Sequence, residues 1–341
     1  MTNTISRRTA MGAIGTAIGC SIWTSKTRAA GVADMYATLK SDKYLGKVTT
    51  LAKVVDKKIF TEGPAVDRAG DVYFTNVPAE KILKWDGSKL SEFRTGSRKA
   101  NGLLFEPDGS LIACEGGAGQ VTRTNMKTGL VKVLADKFGG FGLGAPNDVA
   151  NDKSGRLYFT SRLPNADPKK GNVNSVYRID PDGSLHRILH LPNIHMPNGI
   201  VTSPDDKTLY LIEAHPNADL NRNIMAYDLD NKGNVSNSRV HINFYPGRSG
   251  DGMCIDSQGN LYVAAGLHKT RKTSETLDTR PGIHVVSPKG SLLAYVETPE
   301  DTITNCTFGG SDLKTLYVTC GTLLLSIPTS IPGKASYRPI K

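Results

Sequence analysis

Short apolar runs separated by Gly, Asp and Asn recur along most of the chain. Runs such as VYFT at 72–75 and LYVA at 261–264 have the length of a strand and follow turn sequences. Dipeptides such as Asp108-Gly109 tolerate the positive φ that hairpin tips require. Helical periodicity is nearly absent outside residues 31–40. The pattern therefore predicts an all-β fold.

One pattern repeats six times: a polar residue, a short apolar strand, a turn with Asp or Gly, and a second strand. The polar residues that start these repeats, here called the lead residues, are Glu62, Asn101, Asn147, Asn198, Asp251 and Asn305. They lie 39, 46, 51, 53 and 54 residues apart. Repeats of about 40–55 residues built from short strands are typical of propeller blades with four strands each. The sequence predicts a six-bladed β-propeller.

The two ends of the repeat region predict how the ring closes. Only 36 residues follow Asn305, too few for a full blade at the later spacing, while a strand-like stretch at 47–55 precedes the first repeat. We expect this N-terminal strand to pair as the outer strand of the last blade, which removes a free sheet edge. The predicted organisation is an export signal at 1–29, an N-terminal segment at 30–46, the propeller at 47–330 and a C-terminal tail at 331–341.

The first 29 residues have the layout of an export signal. Arg7 and Arg8 precede a mildly apolar stretch at 10–23, and Ala29 offers a cleavage site. This layout predicts a bacterial twin-arginine signal, the twin-arginine machinery as partner, and a periplasmic or secreted location. The alternative is an amphipathic or disordered N-terminus. A lipid anchor at Cys20 is a further, minor alternative.

Charge and cysteine content exclude several classes of protein. The formal charge is +10, of which the leader carries +4, and the basic residues beyond it form short clusters without interleaved aromatics. A nucleic-acid partner calls for a continuous basic stripe, so none is expected. The sequence contains no run of about 20 apolar residues, so no transmembrane segment is predicted. The four later cysteines lack C-x-x-C spacing and are expected to be buried thiols, with Cys254 and Cys306 as a possible disulfide pair.

The lead residues point to a site at the propeller axis. Because the innermost strand of each blade borders the central channel, equivalent positions form a ring around that axis. Two carboxylates and four amides would meet there, and burying them without a partner costs several kcal/mol. A hard divalent cation removes that cost, so we expect one metal ion, Ca²⁺ before Zn²⁺, Mg²⁺ or Mn²⁺. The alternative is that these residues cap turns around a water-filled channel.

Four blocks resemble the SMP-30/gluconolactonase/luciferin-regenerating family: TEGPAVDRAGDVYFTN, APNDVANDKSGRLYFT, MPNGIVTSPDDKTLYLIE and GDGMCIDSQGNLYVA. The segment CEGGAGQVTRTNMKTG is similar to its bacterial gluconolactonase branch. The resemblance implies a metal-dependent propeller enzyme that hydrolyses sugar-acid lactones. Matched residue by residue, it places the metal ligands at Glu62, Asn147, Asn198 and Asp251. It leaves Asn101 and Asn305 facing the substrate.

The resemblance also implies catalytic roles. Asp251 combines metal binding with activation of water, and Asp148 is the second candidate base. Glu115, Arg162 and His215 follow short strands and are expected as substrate contacts at the channel mouth. FTSRLPN, beginning at Phe159, departs from the FTD-PP-YG pattern of the gluconolactonase branch, so the preferred lactone is left open.

Other functions have less support in the sequence. It contains no G-x-S-x-G nucleophile elbow and no H-E-x-x-H zinc motif. The alternatives that remain are a secreted propeller that binds a protein or sugar partner without catalysis, and a hydrolase of aryl esters or phosphotriesters on the same fold.

Overall fold

Strands dominate the computed structural model, which describes residues 35–162, 173–217 and 220–336. The predicted export signal lies outside these residues, as do residues 30–34 of the N-terminal segment and 337–341 of the C-terminal tail. Within them, the only helical pieces are two 3-10 turns, Ser41–Lys43 and Val77–Ala79. No helix in this part of the chain is long and apolar enough to cross a membrane.

The first three blades follow strand β1 (Thr49–Lys53) along the chain. Blade 1 contains β2 (Thr61–Val66), β3 (Val72–Asn76), β4 (Lys81–Trp85) and β5 (Leu90–Thr95). Blade 2 contains β6 (Ala100–Phe105), β7 (Leu111–Glu115), β8 (Gln120–Thr124) and β9 (Val131–Ala135). After a small ribbon of β10 (Lys137–Phe138) and β11 (Phe141–Gly142), blade 3 contains β12 (Ala145–Asn151), β13 (Leu157–Arg162), β14 (Ser175–Ile179) and β15 (Leu185–His190).

The last three blades repeat the same order from the inner to the outer strand. Blade 4 contains β16 (Pro197–Thr202), β17 (Thr208–Ala214), β18 (Arg222–Leu229) and β19 (Val235–Asn243). Blade 5 contains β20 (Gly250–Ile255), β21 (Leu261–Ala265), β22 (Gly282–Val286) and β23 (Leu292–Glu297). Blade 6 contains β24 (Ile303–Gly309), β25 (Thr315–Cys320) and β26 (Leu323–Pro328), with β1 as its outer strand.

Ring closure follows the sequence prediction. Strand β1 pairs antiparallel with β26, with Thr49 opposite Ser326 and Lys53 opposite Leu323. The last blade is therefore completed from the beginning of the chain, and both ends of the repeat region are held in one sheet. The prediction of an all-β, six-bladed propeller closed by an N-terminal strand is confirmed.

The core lies between neighbouring blades. Apolar side chains on the faces of one sheet pack against the next, as where Tyr73 of blade 1 meets Phe105 of blade 2 with ring centroids 5.1 Å apart. Tyr262 of blade 5 and Phe308 of blade 6 form a similar edge-on pair at 4.9 Å. Such aromatic pairs add about 0.5–1.5 kcal/mol to the free energy of burial. Packing of this kind fixes each inner strand relative to the axis.

The segment that follows β26 crosses one end of the channel. The backbone N–H of Lys334 donates to the Ile255 carbonyl at 2.8 Å, and Asn151 Nδ2 donates to the Ser336 carbonyl at 2.9 Å. Ser336 Oγ donates to the Phe105 carbonyl at 2.5 Å. Residues 331–336 thus contact blades 2, 3 and 5 and pack against the propeller. The sequence analysis placed them in a separate C-terminal tail. We call this end, where the inner strands finish, the floor of the channel, and the opposite end the mouth.

The described cysteines are buried free thiols, as the sequence predicts. The sulfur atoms of Cys254 and Cys306 lie 3.5 Å apart on the inner strands of blades 5 and 6. They are the two cysteines that the sequence offers as a possible disulfide pair, and in the structure both are free thiols that lie side by side.

Candidate functional site

All six lead residues lie at the mouth, where the inner strands begin. Pairing between the inner and second strands of every blade is interrupted beside its lead residue by one extra inner-strand residue, for example between Glu62 and Ala65 and between Gly250 and Met253. A bulge bends a strand and redirects its side chains. At the mouth, six equivalent bulges therefore interrupt the strand pairing at the positions of the lead side chains.

Two glycines allow neighbouring blades to approach closely at these bulges. A Cβ at Gly252 would lie 2.0 Å from Cγ of Asn305, and one at Gly102 would lie 2.6 Å from Oδ1 of Asp148. Any larger residue would displace these two polar side chains, because such distances are shorter than van der Waals contact. The glycine after the lead residue is therefore part of what positions the site.

Asp148 and Asn305 connect opposite sides of the ring. Nδ2 of Asn305, in blade 6, donates to Oδ2 of Asp148, in blade 3, at 3.3 Å. Oδ1 of each side chain accepts the backbone N–H of the residue that follows it, at 2.9 Å for Asp148 and 2.8 Å for Asn305. A direct contact between blades 3 and 6 means that these side chains reach the axis.

Asp251 is held on both carboxylate oxygens. Asn198 Nδ2 donates to Oδ1 at 2.5 Å, and the guanidinium of Arg248 donates to Oδ2 at 2.5 Å. Since its nitrogen is engaged with Asp251, Asn198 has its amide oxygen available for another partner. Arg248 also donates to two backbone carbonyls, so this buried cation is fixed in place.

The Glu62 carboxyl group lies where a negative charge is unfavourable. Its side chain is buried, and burial together with the charges of Asp251 and Asp148 raises its pKa well above the ordinary value. The charge of Arg162 acts in the opposite direction. Asp148 shows the same effect, since burial raises its pKa to about 7 despite its hydrogen bonds. Two buried carboxylates with raised pKa values, next to the carboxylate of Asp251, form a site suited to a cation.

Asn101 and Asn147 are the lead residues of blades 2 and 3. The side chains of Asn101 and Asn147 make no hydrogen bond to any residue between 35–162, 173–217 and 220–336, although Asn147 is buried. Amides without protein partners at the mouth are available to a ligand. Their roles, Asn101 as a substrate contact and Asn147 as a metal ligand, stay predictions.

Glu115 is placed differently from its prediction as a substrate contact. It is buried, and its oxygens accept hydrogen bonds from Thr122 Oγ1 at 2.9 Å, Gln120 Nε2 at 2.7 Å and the guanidinium of Arg94. With both oxygens engaged by protein donors, the carboxylate joins blade 1 to blade 2. The structure therefore gives Glu115 a role in packing the blades instead of lining the mouth.

Arg162 and His215 lie at the mouth ends of their second strands. Arg162 is the last residue of β13, opposite Ala145 at the start of the inner strand of blade 3. His215 directly follows β17, is half-buried, and accepts a hydrogen bond from the backbone N–H of Asn217 at its Nδ1 atom, 3.1 Å away. Burial lowers its pKa, which favours the neutral imidazole.

A channel cavity of about 90 Å³ runs from this ring toward the floor. Asp148 and Asn305 border it near the mouth, and Thr202, Phe308 and Lys334 border it near the floor. The cavity is too small for a sugar. A substrate must therefore bind above the lead residues, from the mouth side.

Comparison with known proteins agrees with this arrangement. Residues 60–322 match the family described as SMP-30/Gluconolactonase/LRE-like region. The chain belongs to this family. It is 29% identical over 317 residues to a gluconolactonase of Zymomonas mobilis, covering 84% of this chain and 83% of the relative. Bovine regucalcin is 27% identical over 273 residues, covering 76% and 82% respectively.

A solved structure supports the same assignment. The gluconolactonase of Xanthomonas campestris superimposes with a TM-score of 0.70 at 28% identity, over 85% of this chain and 93% of that one. The family resemblance predicted from the sequence blocks is thereby confirmed, and with it the propeller architecture.

The residues of this family member fit a hard divalent cation. The mouth offers carboxylate oxygens from Glu62 and Asp251 and amide oxygens from Asn147 and Asn198, which are the ligand types that Ca²⁺ and Mg²⁺ prefer. No group of three or more His, Cys, Asp or Glu side chains in the described part of the chain forms a metal site by itself. A cation here therefore depends on the asparagines. The raised pKa values of Glu62 and Asp148 indicate uncompensated negative charge that a cation would offset.

Sequence reasoning missed three buried charged residues around the site. Arg248 pairs with Asp251, and Arg222 donates to the carbonyls of Pro216 and Pro246, at 2.7 and 2.9 Å. Glu213 accepts the backbone N–H groups of His195 and Met196. A charged residue inside an otherwise apolar strand, as in LYLIEA, was the available signal.

Proposed function

We propose that the protein is a metal-dependent lactonase that acts on lactones of sugar acids. The observation that carries this proposal is the convergence of Glu62, Asp148 and Asp251 at one mouth of the channel. Relatives named gluconolactonase, which align over most of both chains, support the reaction class. Hydrolysis of a cyclic carboxylic ester is also what carboxylates beside a hard cation can perform.

Glu62, Asn147, Asn198 and Asp251 would hold one divalent cation, Ca²⁺ before Zn²⁺, Mg²⁺ or Mn²⁺. When bound, it supplies Lewis acidity toward the lactone carbonyl and offsets the negative charge that develops on the carbonyl oxygen. The pairing of Arg248 with Asp251 holds that carboxylate in a fixed orientation, as both a ligand and a base require.

The remaining steps belong to side chains of this protein. The Asp251 carboxylate takes a proton from the attacking water, and Asp148, the second candidate, lies across the ring against Asn305. The amides of Asn101 and Asn305 donate hydrogen bonds to the substrate, and Asn101, whose side chain has no partner among the described residues, offers both of its N–H groups. His215 borders the same mouth as a neutral hydrogen-bonding group.

The decisive experiment is hydrolysis of glucono-δ-lactone, followed by proton release and corrected for the spontaneous reaction. We expect turnover that is lost with a chelator and restored by adding back a divalent ion. The same assay with an aryl ester and a phosphotriester tests the alternative hydrolase chemistries. Failure to hydrolyse any lactone with any of the four ions would contradict the proposal and favour a propeller that binds a partner without catalysis.

Two substitutions distinguish Asp251 from Asp148 as the base that activates water. Asp251→Asn should reduce turnover far more than Asp148→Asn if Asp251 activates water. The reverse order would make Asp148 the base. Thermal unfolding of both variants serves as the control, because Asp251→Asn also weakens the ion pair with the buried Arg248.

We also propose export of the folded protein to the periplasm or the exterior through the twin-arginine route. The Arg7 and Arg8 pair, which lies outside the described residues, supports this proposal. Cell fractionation of the native chain and of an Arg7→Lys, Arg8→Lys double variant tests it. Unchanged export of the double variant would contradict it.

A further inference from the structure

Three arginines beside the mouth, Arg94, Arg222 and Arg248, are engaged by the protein. Arg94 pairs with Glu115, Arg248 pairs with Asp251, and Arg222 donates to backbone carbonyls. Arg162 differs from them. Its guanidinium forms no hydrogen bond or ion pair with any residue that the structure describes.

The position of Arg162 links it to the proposed reaction centre. It ends β13 opposite Ala145, two residues before Asn147 on the neighbouring inner strand. Its side chain is half-buried, and its charge acts on Glu62 on the other side of the mouth. The guanidinium therefore lies at the edge of the carboxylate cluster without closing an ion pair within it.

The Arg162 guanidinium is half-buried, and none of its five N–H donors is engaged by a described residue. Its planar fork matches the two oxygens of a carboxylate or phosphate, and such charge-assisted pairs are about twice as strong as neutral hydrogen bonds. Arg94, Arg222 and Arg248 show that guanidinium groups beside the mouth can be engaged by acceptors of the protein. At Arg162 the described residues supply no such acceptor, which leaves the guanidinium available to a ligand.

We propose that Arg162 is a specificity-determining residue that binds a second anionic group, a carboxylate or a phosphate, carried by the lactone substrate. The inference rests on the proposed lactonase function and deepens it. The reacting carbonyl lies over Glu62, Asp148 and Asp251, and the anionic substituent points toward blade 3. The preferred substrate class is then an acidic lactone, not a neutral one.

The test compares three lactones: neutral glucono-δ-lactone, the monolactone of glucaric acid, and 6-phosphoglucono-δ-lactone. We expect the native protein to prefer one anionic lactone by about 10-fold or more in kcat/KM. Arg162→Gln should lower kcat/KM for that lactone by about 10- to 100-fold, mainly through KM, with less than about a 3-fold change for the neutral one. Whichever anionic lactone responds identifies the group as carboxylate or phosphate.

Two matched variants separate a direct contact from general charge. Arg98→Gln removes an equal charge from an exposed mouth residue of the neighbouring connection, and should change each rate by less than about 3-fold. Arg162→Lys keeps the charge but loses the fork, so it should recover only part of the preference. Binding of glucarate and gluconate by the chelated protein, measured by calorimetry, gives a readout that does not depend on turnover.

Three outcomes would overturn the inference. One is an equal loss for neutral and anionic lactones in Arg162→Gln, which would make Arg162 a charge partner of Glu62. Another is an equal effect of Arg98→Gln, and the third is a native protein with no preference for anionic lactones. In each of these cases the native protein still hydrolyses the neutral lactone, so the proposed function stands. A native protein inactive on all three lactones would instead refute the proposed function.

Discussion

At the floor of the channel, Asp67, Asp152 and Asp256 each accept two backbone N–H bonds from their own turn, at 2.9–3.0 Å. At the mouth, Glu62 and Asp148 each accept one such bond and face other carboxylates instead. The same residue types thus serve opposite purposes at the two ends of one set of strands.

The difference shows where the protein gives up stability. Floor carboxylates are satisfied locally, so they tighten the hairpins from which the blades are built. Mouth carboxylates are buried beside like charge, which disfavours the folded state until a ligand compensates them. Sites that bind and react commonly carry such a local cost. The mouth is therefore arranged for a ligand, and the floor for the fold.

Neutralising a mouth carboxylate should give the largest effect. Glu62→Gln should reduce lactone hydrolysis by about 10³-fold, about 4 kcal/mol in transition-state stabilisation, because a predicted metal ligand is lost. Its melting temperature without metal at pH 8 should not fall, since a buried repelling charge is removed. Proton-release kinetics and calorimetry measure both. Retained activity, or a clearly lower melting temperature, would contradict the contrast between the two ends.

Removing the segment under the floor should act on stability instead. A chain ending at residue 330 loses the hydrogen bonds of Lys334 and Ser336 and the buried contacts of Ala335, for an expected loss of about 4 kcal/mol in the free energy of unfolding. Denaturant unfolding measures this loss. The matched control ends at residue 336, keeps every described contact, and should unfold like the native chain.

A single floor carboxylate offers the direct counterpart of Glu62. Asp152→Ala removes two turn hydrogen bonds, a bond from Tyr158 Oη at 2.9 Å and the ion pair with Arg156, and should cost about 3 kcal/mol of stability. Turnover per folded molecule should stay within about 2-fold of native, because the reacting end is untouched. A large drop in turnover at full folding would show that the two ends are coupled.

Glu213, a mouth carboxylate outside the lead ring, provides a smaller test through pH. Burial raises its pKa from 4.5 to about 7, so between these values the folded state binds more protons than the unfolded one. Stability from this group therefore falls as pH rises through that window. Glu213→Gln should match the native protein near pH 4.5 and exceed it at pH 8 by roughly 2–3 kcal/mol. Denaturant midpoints at both pH values test this, and a pH-independent difference would contradict it.

Much of the architecture was readable before any coordinates, because each repeat carries its own turn chemistry. The spacing of lead residues gave the blade number, and the short remainder after Asn305 gave the closure by β1. The position of Glu115 was misjudged for the opposite reason. Nothing near it in sequence shows that Arg94, on the outer strand of the preceding blade, takes its carboxylate.

The sequence by itself determined the strands, the six repeats, the ring closure and the polar identity of the mouth, because these depend on local periodicity and on equivalent positions in a repeated unit. Only the tertiary structure decided which side chains are already engaged. It paired Asp148 with Asn305 across the axis, gave Arg248 to Asp251, tucked residues 331–336 under the floor, and left Arg162 without a partner among the described residues. Except for Arg248 and Asp251, which are three residues apart, these contacts join residues many tens of positions apart. Which side chains meet depends on burial and distance, which no local pattern encodes.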